Sequence, residues 1–360
     1  MRIGIIGLLL SGKTTLFEAL TGASPEDRRS GRQGPDIKVV KVMDDRVTRL
    51  AEMYHPKKVT YAEMEYLDFA GIVKDGEKGE MDGAFLKSIG KIDAFVHVVR
   101  AFPDRIFPHP LGKVDPLRDI ERFHTDLILS DLSIIEKRLE RLRKDLKRGL
   151  PVKEEVALLQ KCQEALEQEV FLNQLDLGAA ARQRLRGYDF LTLRPMIVAL
   201  NVHEDQLNTT EIEVLIKRIG ETAPFLKDGL FVVAGKIEME IAQLSKEDAA
   251  LFLKDLDIKE SAMNRLIHLC YRKLGRISFF TVGKDEVKAW TIPKGLTAVK
   301  SAGVIHSDFE RGFIKAEVIS YDDLVHVGGI AAARQKGLLR LEGKDYPVKD
   351  GDVITFRFNV

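Results

Sequence analysis

The sequence predicts an α/β fold: a mostly parallel sheet flanked by helices, interrupted by an antiparallel helical hairpin and followed by a small α+β domain. Three observations carry that expectation. Short apolar runs alternate with helical patterns up to about residue 275, as strands feeding crossover helices do. Between two of those runs, apolar residues recur at steps of three and four through a highly charged stretch. Beyond it, the texture changes to short strand patterns punctuated by Gly and Pro.

The first strand, Ile3 to Ile6, runs into a glycine-punctuated turn and then a helical pattern with Leu16, Phe17 and Leu20. Gly7, Gly12, Lys13 and Thr14 satisfy G-x-x-x-x-G-K-[ST] in the strand–loop–helix context that a phosphate-binding loop requires. Glycine lets backbone N–H groups wrap phosphate oxygens, and the helix N-terminus favours the anion. Leu8, Leu9, Leu10, Ser11 and Thr15 complete the loop around a nucleotide. Lys13 is placed to reach the β and γ phosphates, and Thr14 to offer its hydroxyl to Mg²⁺. The bland reading, a turn with a surface lysine, fails to explain why spacing, residue types and context agree.

The segment "KVVKVMDD" reads as a strand leading into a short helix, "RVTRLAEMY". In "AEMEYLDFAGIV", Met64, Tyr66 and Leu67 fill a strand and Asp68 stands at its end. Asp68 and Gly71 make D-x-x-G: the carboxylate is placed to hold Mg²⁺ through water, the glycine N–H to sense the γ-phosphate. Alone that pattern is a common turn; its distance from the phosphate loop gives it weight. "DAFVHVVRAF", "RPMIVALNVHED" and "GLFVVAGKIE" supply further strands, and ligands in such sheets sit beyond the strands' carboxyl ends. Leu132, Ile135, Leu139, Leu142 and Leu146 form one apolar stripe, "GLPVK" breaks the helix, and Val156, Leu159, Cys162, Leu166 and Val170 form a second. The charges around these stripes fit a solvated face or an arm that touches RNA or protein. In the C-terminal region "GFIKAEVI" and "DGDVITFRFNV" are strands, "LTAVKSAGVIH" is a helix, and Trp290 is either core or a partner surface.

Composition narrows the class. Of 360 residues, 45% are apolar and 31% charged, with a formal net charge of +1. That is an ordinary globular balance, and any nucleic-acid surface must be local. Two distant cysteines, Cys162 and Cys270, suit neither a disulfide framework nor a metal site and point to a reducing compartment. No run approaches the ~18 apolar residues of a membrane span, and a strand beginning at the second residue leaves no room for a signal peptide. A cytoplasmic protein without membrane contact is expected.

The motifs "GKTTLFEALTG", "DFAGIVKDGEKGE", "HVVRAF", "GKVDPLRDI", "EKRLERLRK", "LNVHE", "KAEVISYDDL", "LEGKDY" and "DGDVITFRFNV" span the chain. With them it resembles the YchF family of P-loop NTPases, a branch of the Obg-related translation-factor GTPases. The resemblance implies a P-loop nucleotide-binding domain at 1–120 and 190–275, a helical coiled-coil insertion at 121–189, and an α+β, ubiquitin-like TGS domain at 276–360. It implies Mg²⁺ as cofactor, ATP or GTP as substrate, and the ribosome as partner. Contact through the coiled coil and TGS domain, contact with RNA, and a role in translation or stress response follow from the same resemblance.

It also sharpens three positions. Asn201, Val202, His203 and Glu204 look like the family's N-x-x-E, which replaces the N-K-x-D guanine clamp and goes with a preference for ATP. Gly235 and Lys236 are expected to line the base. Ile72, directly after Gly71, has no group to orient water, and the family's substitute is a histidine matching His109. Lys13, Gly71 and His109 are thus the expected catalytic set, and Thr14 and Asp68 the metal set. There are departures: the family loop reads G-x-P-N-x-G-K-S, so Leu10 stands where an asparagine helps coordinate potassium. The first switch, "RRSGRQGPDIKVV", lacks the family's threonine, with Arg32 near its place and Ser30 a possible deputy. Slow hydrolysis is expected. A binding module without turnover is the rival reading; a metabolic kinase is disfavoured because no acceptor pocket or lid is apparent.

Overall fold

The computed structural model describes residues 1–22, 34–69, 85, 88–207, 209–223, 226, 228–255 and 260–359. The chain divides into two compact units: Met1–Lys38 with Glu65–Met263, and Val39–Met64 with Asn264–Val360. The strands are β1 (Arg2–Ile6), β2 (Asp36–Val42), β3 (Lys58–Thr60), β4 (Ala62–Asp68), β5 (Ala94–Arg100), β6 (Met196–Asn201), β7 (Leu230–Val233), β8 (Arg276–Thr281), β9 (Glu286–Pro293), β10 (Phe313–Ser320), β11 (Arg340–Glu342) and β12 (Asp352–Phe358).

The first unit is built on a sheet of order β2-β4-β1-β5-β6-β7, in which β1 pairs in parallel with β4 and β5, β5 with β6, and β6 with β7. Every residue of β5 and β6 is buried, as continuous apolar runs covered on both faces should be. Strand alternation sends Phe95 and Val99 into a core with Ile120, Phe123 and Leu127, and sends Val96, Val98 and Arg100 to the opposite face. All the strand ends that matter to the site lie on one edge of this sheet.

Helix α1 (Lys13–Thr21) follows β1 and packs beside the helix Gly235–Gln243. A 32-residue helix, Pro116–Lys147, begins with Pro116 in its first turn and with Asp115 accepting from the Arg118 N–H. It buries Ile135, Leu139 and Leu142; after a turn at Gly149 (φ 80), the helix Lys153–Glu167 buries Leu159, Cys162 and Leu166. The two stripes read in the sequence therefore face a common core, with Leu132, Val156 and Val170 half-buried at its margin. The returning chain is tied to the first of these helices by buried Asp131, which accepts from Leu191 N, Thr192 N and Thr192 Oγ1 at 2.6–2.9 Å. Arg194 then donates to the carbonyls of Ile89 and Gly90, both at 2.6 Å.

The second unit holds a sheet of order β11-β10-β12-β8-β9-β3. β8–β9, β10–β12 and β10–β11 are antiparallel, β3–β9 and β12–β8 parallel. Phe279, Ile292, Ala298, Ala302, Phe313, Val318 and Ile354 form its core. The segment Val39–Met64 belongs to this unit: β3 is its edge strand, and Arg46 joins Asp44 to Asp350 through both carboxylates while lying 5.0 Å over the Phe280 ring. Trp290 is half-buried. It packs against the core, donates to Thr281 Oγ1 at 2.9 Å and carries Lys288 Nζ 3.7 Å above its ring. No helix among the described residues is long and apolar enough to cross a membrane.

Candidate nucleotide site

The turn between β1 and α1 takes the shape its glycines allow. Gly12 has φ 91, and a Cβ there would meet Asn201 Nδ2 at 2.1 Å; one at Gly7 would meet the Val98 carbonyl oxygen at 2.3 Å. Leu10 also lies in the left-handed region, at φ 62, where a leucine is strained. Lys13 is 5% exposed and donates from Nζ to the Leu8 carbonyl at 2.9 Å, folded back over its own loop. Burial lowers its pKa to about 8, and the Asp68 carboxylate opposes the shift. Behind the loop on β5, His97 is buried against Phe123, its rings' centroids 4.4 Å apart. Burial first, then His124 and Lys13, hold its pKa well below the ordinary value.

Thr14 Oγ1 donates to Asp68 Oδ2 at 2.9 Å. The two residues expected to hold Mg²⁺ are thus in contact, one on the first turn of α1, the other at the tip of β4. A hydroxyl and a carboxylate are the hard oxygen donors that this cation takes. Gly71 lies outside the described residues, as do Ile72, Ser30 and Arg32.

A cavity of about 650 Å³ opens beside the loop. Of the expected residues, Leu9, Leu10, Gly12, Lys13, Thr14, Thr15, Asn201, Val202, Glu204 and Lys236 line it. Gly7, Leu8, Ser11 and Gly235 do not; they shape its frame. Asn201 is different in kind from a base reader. It is buried, donates to the Ser11 carbonyl at 3.0 Å and accepts from Gly235 N at 3.0 Å, so both ends of its amide brace the phosphate loop against the start of the helix Gly235–Gln243.

His109 does not border the cavity. Its ring is buried, Nε2 lies 3.0 Å from Asp119 Oδ2, and Nδ1 accepts from Leu111 N at 3.2 Å. Asp119 also takes the Arg118 guanidinium. In this conformation both ring nitrogens of the histidine expected beside the γ-phosphate are engaged on the hairpin-like turn His109–Gly112 and on the first turn of the long helix. Arg100, Phe102, Asp104, Phe107 and Met239 line the cavity without having been singled out, and His203, named only as a member of the N-x-x-E segment, joins them. "HVVRAF" ends at a strand's carboxyl end, where ligands gather, and that position was the available signal.

A phosphate loop on the carboxyl edge of a parallel sheet, its lysine buried and its threonine against a strand-end aspartate, makes this chain a P-loop NTPase. It belongs to the YchF family. It is 42% identical over 364 residues to the ribosome-binding ATPase YchF of Bacillus subtilis, covering 100% of both chains. It is 41% identical over 365 residues to that of Escherichia coli O157:H7, covering 100% of this chain and 99% of the relative. The solved Schizosaccharomyces pombe YchF GTPase is similar at 31% identity and a TM-score of 0.86, over 99% of this chain and 97% of that one. The family described as 50S ribosome-binding GTPase matches residues 2–135, and the YchF GTPase C-terminal family, described as a protein of unknown function, matches 276–359.

Proposed function

We propose that this chain is a ribosome-associated NTPase that binds ATP with Mg²⁺, with GTP the weaker ligand, and hydrolyses the γ-phosphate slowly as a conformational switch in translation or stress response. The observation that carries the reading is the contact of Thr14 with Asp68 beside buried Lys13, at one end of a cavity that continues to Val202 and Glu204. Thr14 and Asp68 would hold the metal, which when bound neutralises charge on the phosphate oxygens. Lys13 leaves the Leu8 carbonyl for the β and γ phosphates. Glu204 stands where a guanine-clamping aspartate is absent, and the brace made by Asn201 leaves the base to neighbouring groups. The relatives named as ribosome-binding ATPases support both substrate and partner.

Lys13, Gly71 and His109 form the proposed catalytic set. His109 orients water only after its ring leaves Asp119, which fits slow turnover and equally favours the second reading, a nucleotide-binding regulatory module with negligible hydrolysis. The helical segment 121–189 as a coiled-coil arm and 276–360 as a TGS domain are proposed contact surfaces for the ribosome and its RNA, with 1–120 and 190–275 as the nucleotide domain. A cytoplasmic setting belongs to the same proposal and is supported by two free cysteines. Co-sedimentation with ribosomes tests the function. Binding should differ between ATP and ADP, and Lys13→Ala should abolish that difference; ribosome binding indifferent to nucleotide in the parent chain would overturn the switch.

A further inference from the structure

Arg100 is 2% exposed and stands at the carboxyl end of β5, beside Asn201 in the sheet register. It donates from Nε to the Phe102 carbonyl at 2.9 Å and from Nη1 to the Phe107 carbonyl at 2.8 Å, and its guanidinium carbon lies 4.8 Å from the Phe102 ring centroid. Asp104 fastens the same loop from within, accepting from Ile106 N and Phe107 N. At the loop's far end His109 is pinned by Asp119. Between these anchors Ile106 is 80% exposed and Phe107 is also exposed, so apolar burial does not hold this segment; the guanidinium does. Nη2 is buried and has no hydrogen-bond partner among the described residues. A buried donor left over in the wall of a ligand cavity calls for an acceptor, because a desolvated donor without one is destabilising.

We propose that Arg100 is a positioning residue for the nucleoside end of the bound nucleotide: it holds Phe102 and Phe107 as one wall of the cavity, and its third nitrogen is completed by an oxygen or nitrogen acceptor of the ribose or base. The phosphate end already has its own donors in the phosphate loop and Lys13. Strand alternation puts Arg100 on the face of β5 opposite the core residues Phe95 and Val99. Phe102 lies 6.4 Å from the His203 ring, within the segment expected to read the base. This rests on the nucleotide reading above and deepens it by naming a residue for base and ribose recognition.

The test compares ATP with inorganic tripolyphosphate, which has the phosphates and no nucleoside. Both are titrated with Mg²⁺ into the parent chain, Arg100→Ala and Arg100→Lys, with thermal unfolding recorded for each. Arg100→Lys keeps the stem and the charge but not the fork, so it remains informative if the alanine variant unfolds. ATP affinity should fall about tenfold or more in a folded variant, as for loss of hydrogen bonds to a charged group, while tripolyphosphate affinity stays at the parent value. Equal losses for both ligands, or no loss for either, would overturn the assignment. A parent chain that binds neither would remove the nucleotide reading itself.

Discussion

Lys13 is both the residue most legible in the sequence and the one whose state only the structure gives. The G-x-x-x-x-G-K-[ST] spacing located it; its burial under the Leu8 carbonyl and its pKa of about 8 depend on how the loop closes. Between pH 8 and its ordinary 10.5, the unfolded chain binds a proton at this lysine that the folded chain does not. Stability of the nucleotide-free protein should therefore rise with pH across that window. ATP affinity should run the other way, declining above pH 8 as the ammonium is lost in the free protein. Denaturant titrations and calorimetry at stepped pH read both slopes, and Lys13→Met should flatten them; slopes that survive in that variant would assign them elsewhere. Leu10 is a second residue-scale case. Its left-handed backbone costs a leucine about 1–2 kcal/mol and an asparagine less, so Leu10→Asn should raise the melting temperature. An unchanged or lower value would show that the loop gains nothing from relief of this strain. Sequence pattern flagged Leu10 as a departure from the family loop but not as strained, since φ is not written in residue type.

At the scale of elements, most of the strands and both hairpin stripes were legible because periods of 2 and 3.6 are local properties, whereas the three-residue strands β3 and β11 are too short to show one. What ties the elements together was not. Asn201 was read as a nucleotide contact from its motif; it lines the cavity, and its amide also ties Ser11 to Gly235, a brace that the motif does not spell out. Arg100 went unremarked inside an apolar strand pattern. Asp131 was not singled out in the sequence, yet it is fully buried and takes three donors from the returning chain. Asp131→Ala would leave two backbone N–H groups and a hydroxyl without an acceptor, a cost of about 2–5 kcal/mol. Chemical denaturation should show that loss, with Glu136→Ala, at an exposed position of the same helix, near neutral. Comparable midpoints for the two would contradict the role assigned to Asp131.

At the scale of the whole molecule, the change of texture near residue 275 was read as the start of a C-terminal domain, and the second compact unit joins Asn264–Val360 with Val39–Met64. The membership of Val39–Met64 in the second unit was invisible. Its strand and helix patterns look like those of the nucleotide domain around it, and its pairing partners lie far along the chain: Thr60 bonds Glu286, 226 residues away. No local period encodes such a partner. The cavity, by contrast, draws its lining from the segments that follow β1, β5, β6 and β7, where a strand followed by a short motif is a local pattern.

Calorimetric titration of the parent chain with ATP and GTP, side by side in Mg²⁺, reads most directly which base this cavity takes. ATP should bind more tightly, because Asn201 braces the loop and Glu204 replaces the aspartate that would pair with guanine. GTP favoured by tenfold, roughly 1.4 kcal/mol, would contradict it.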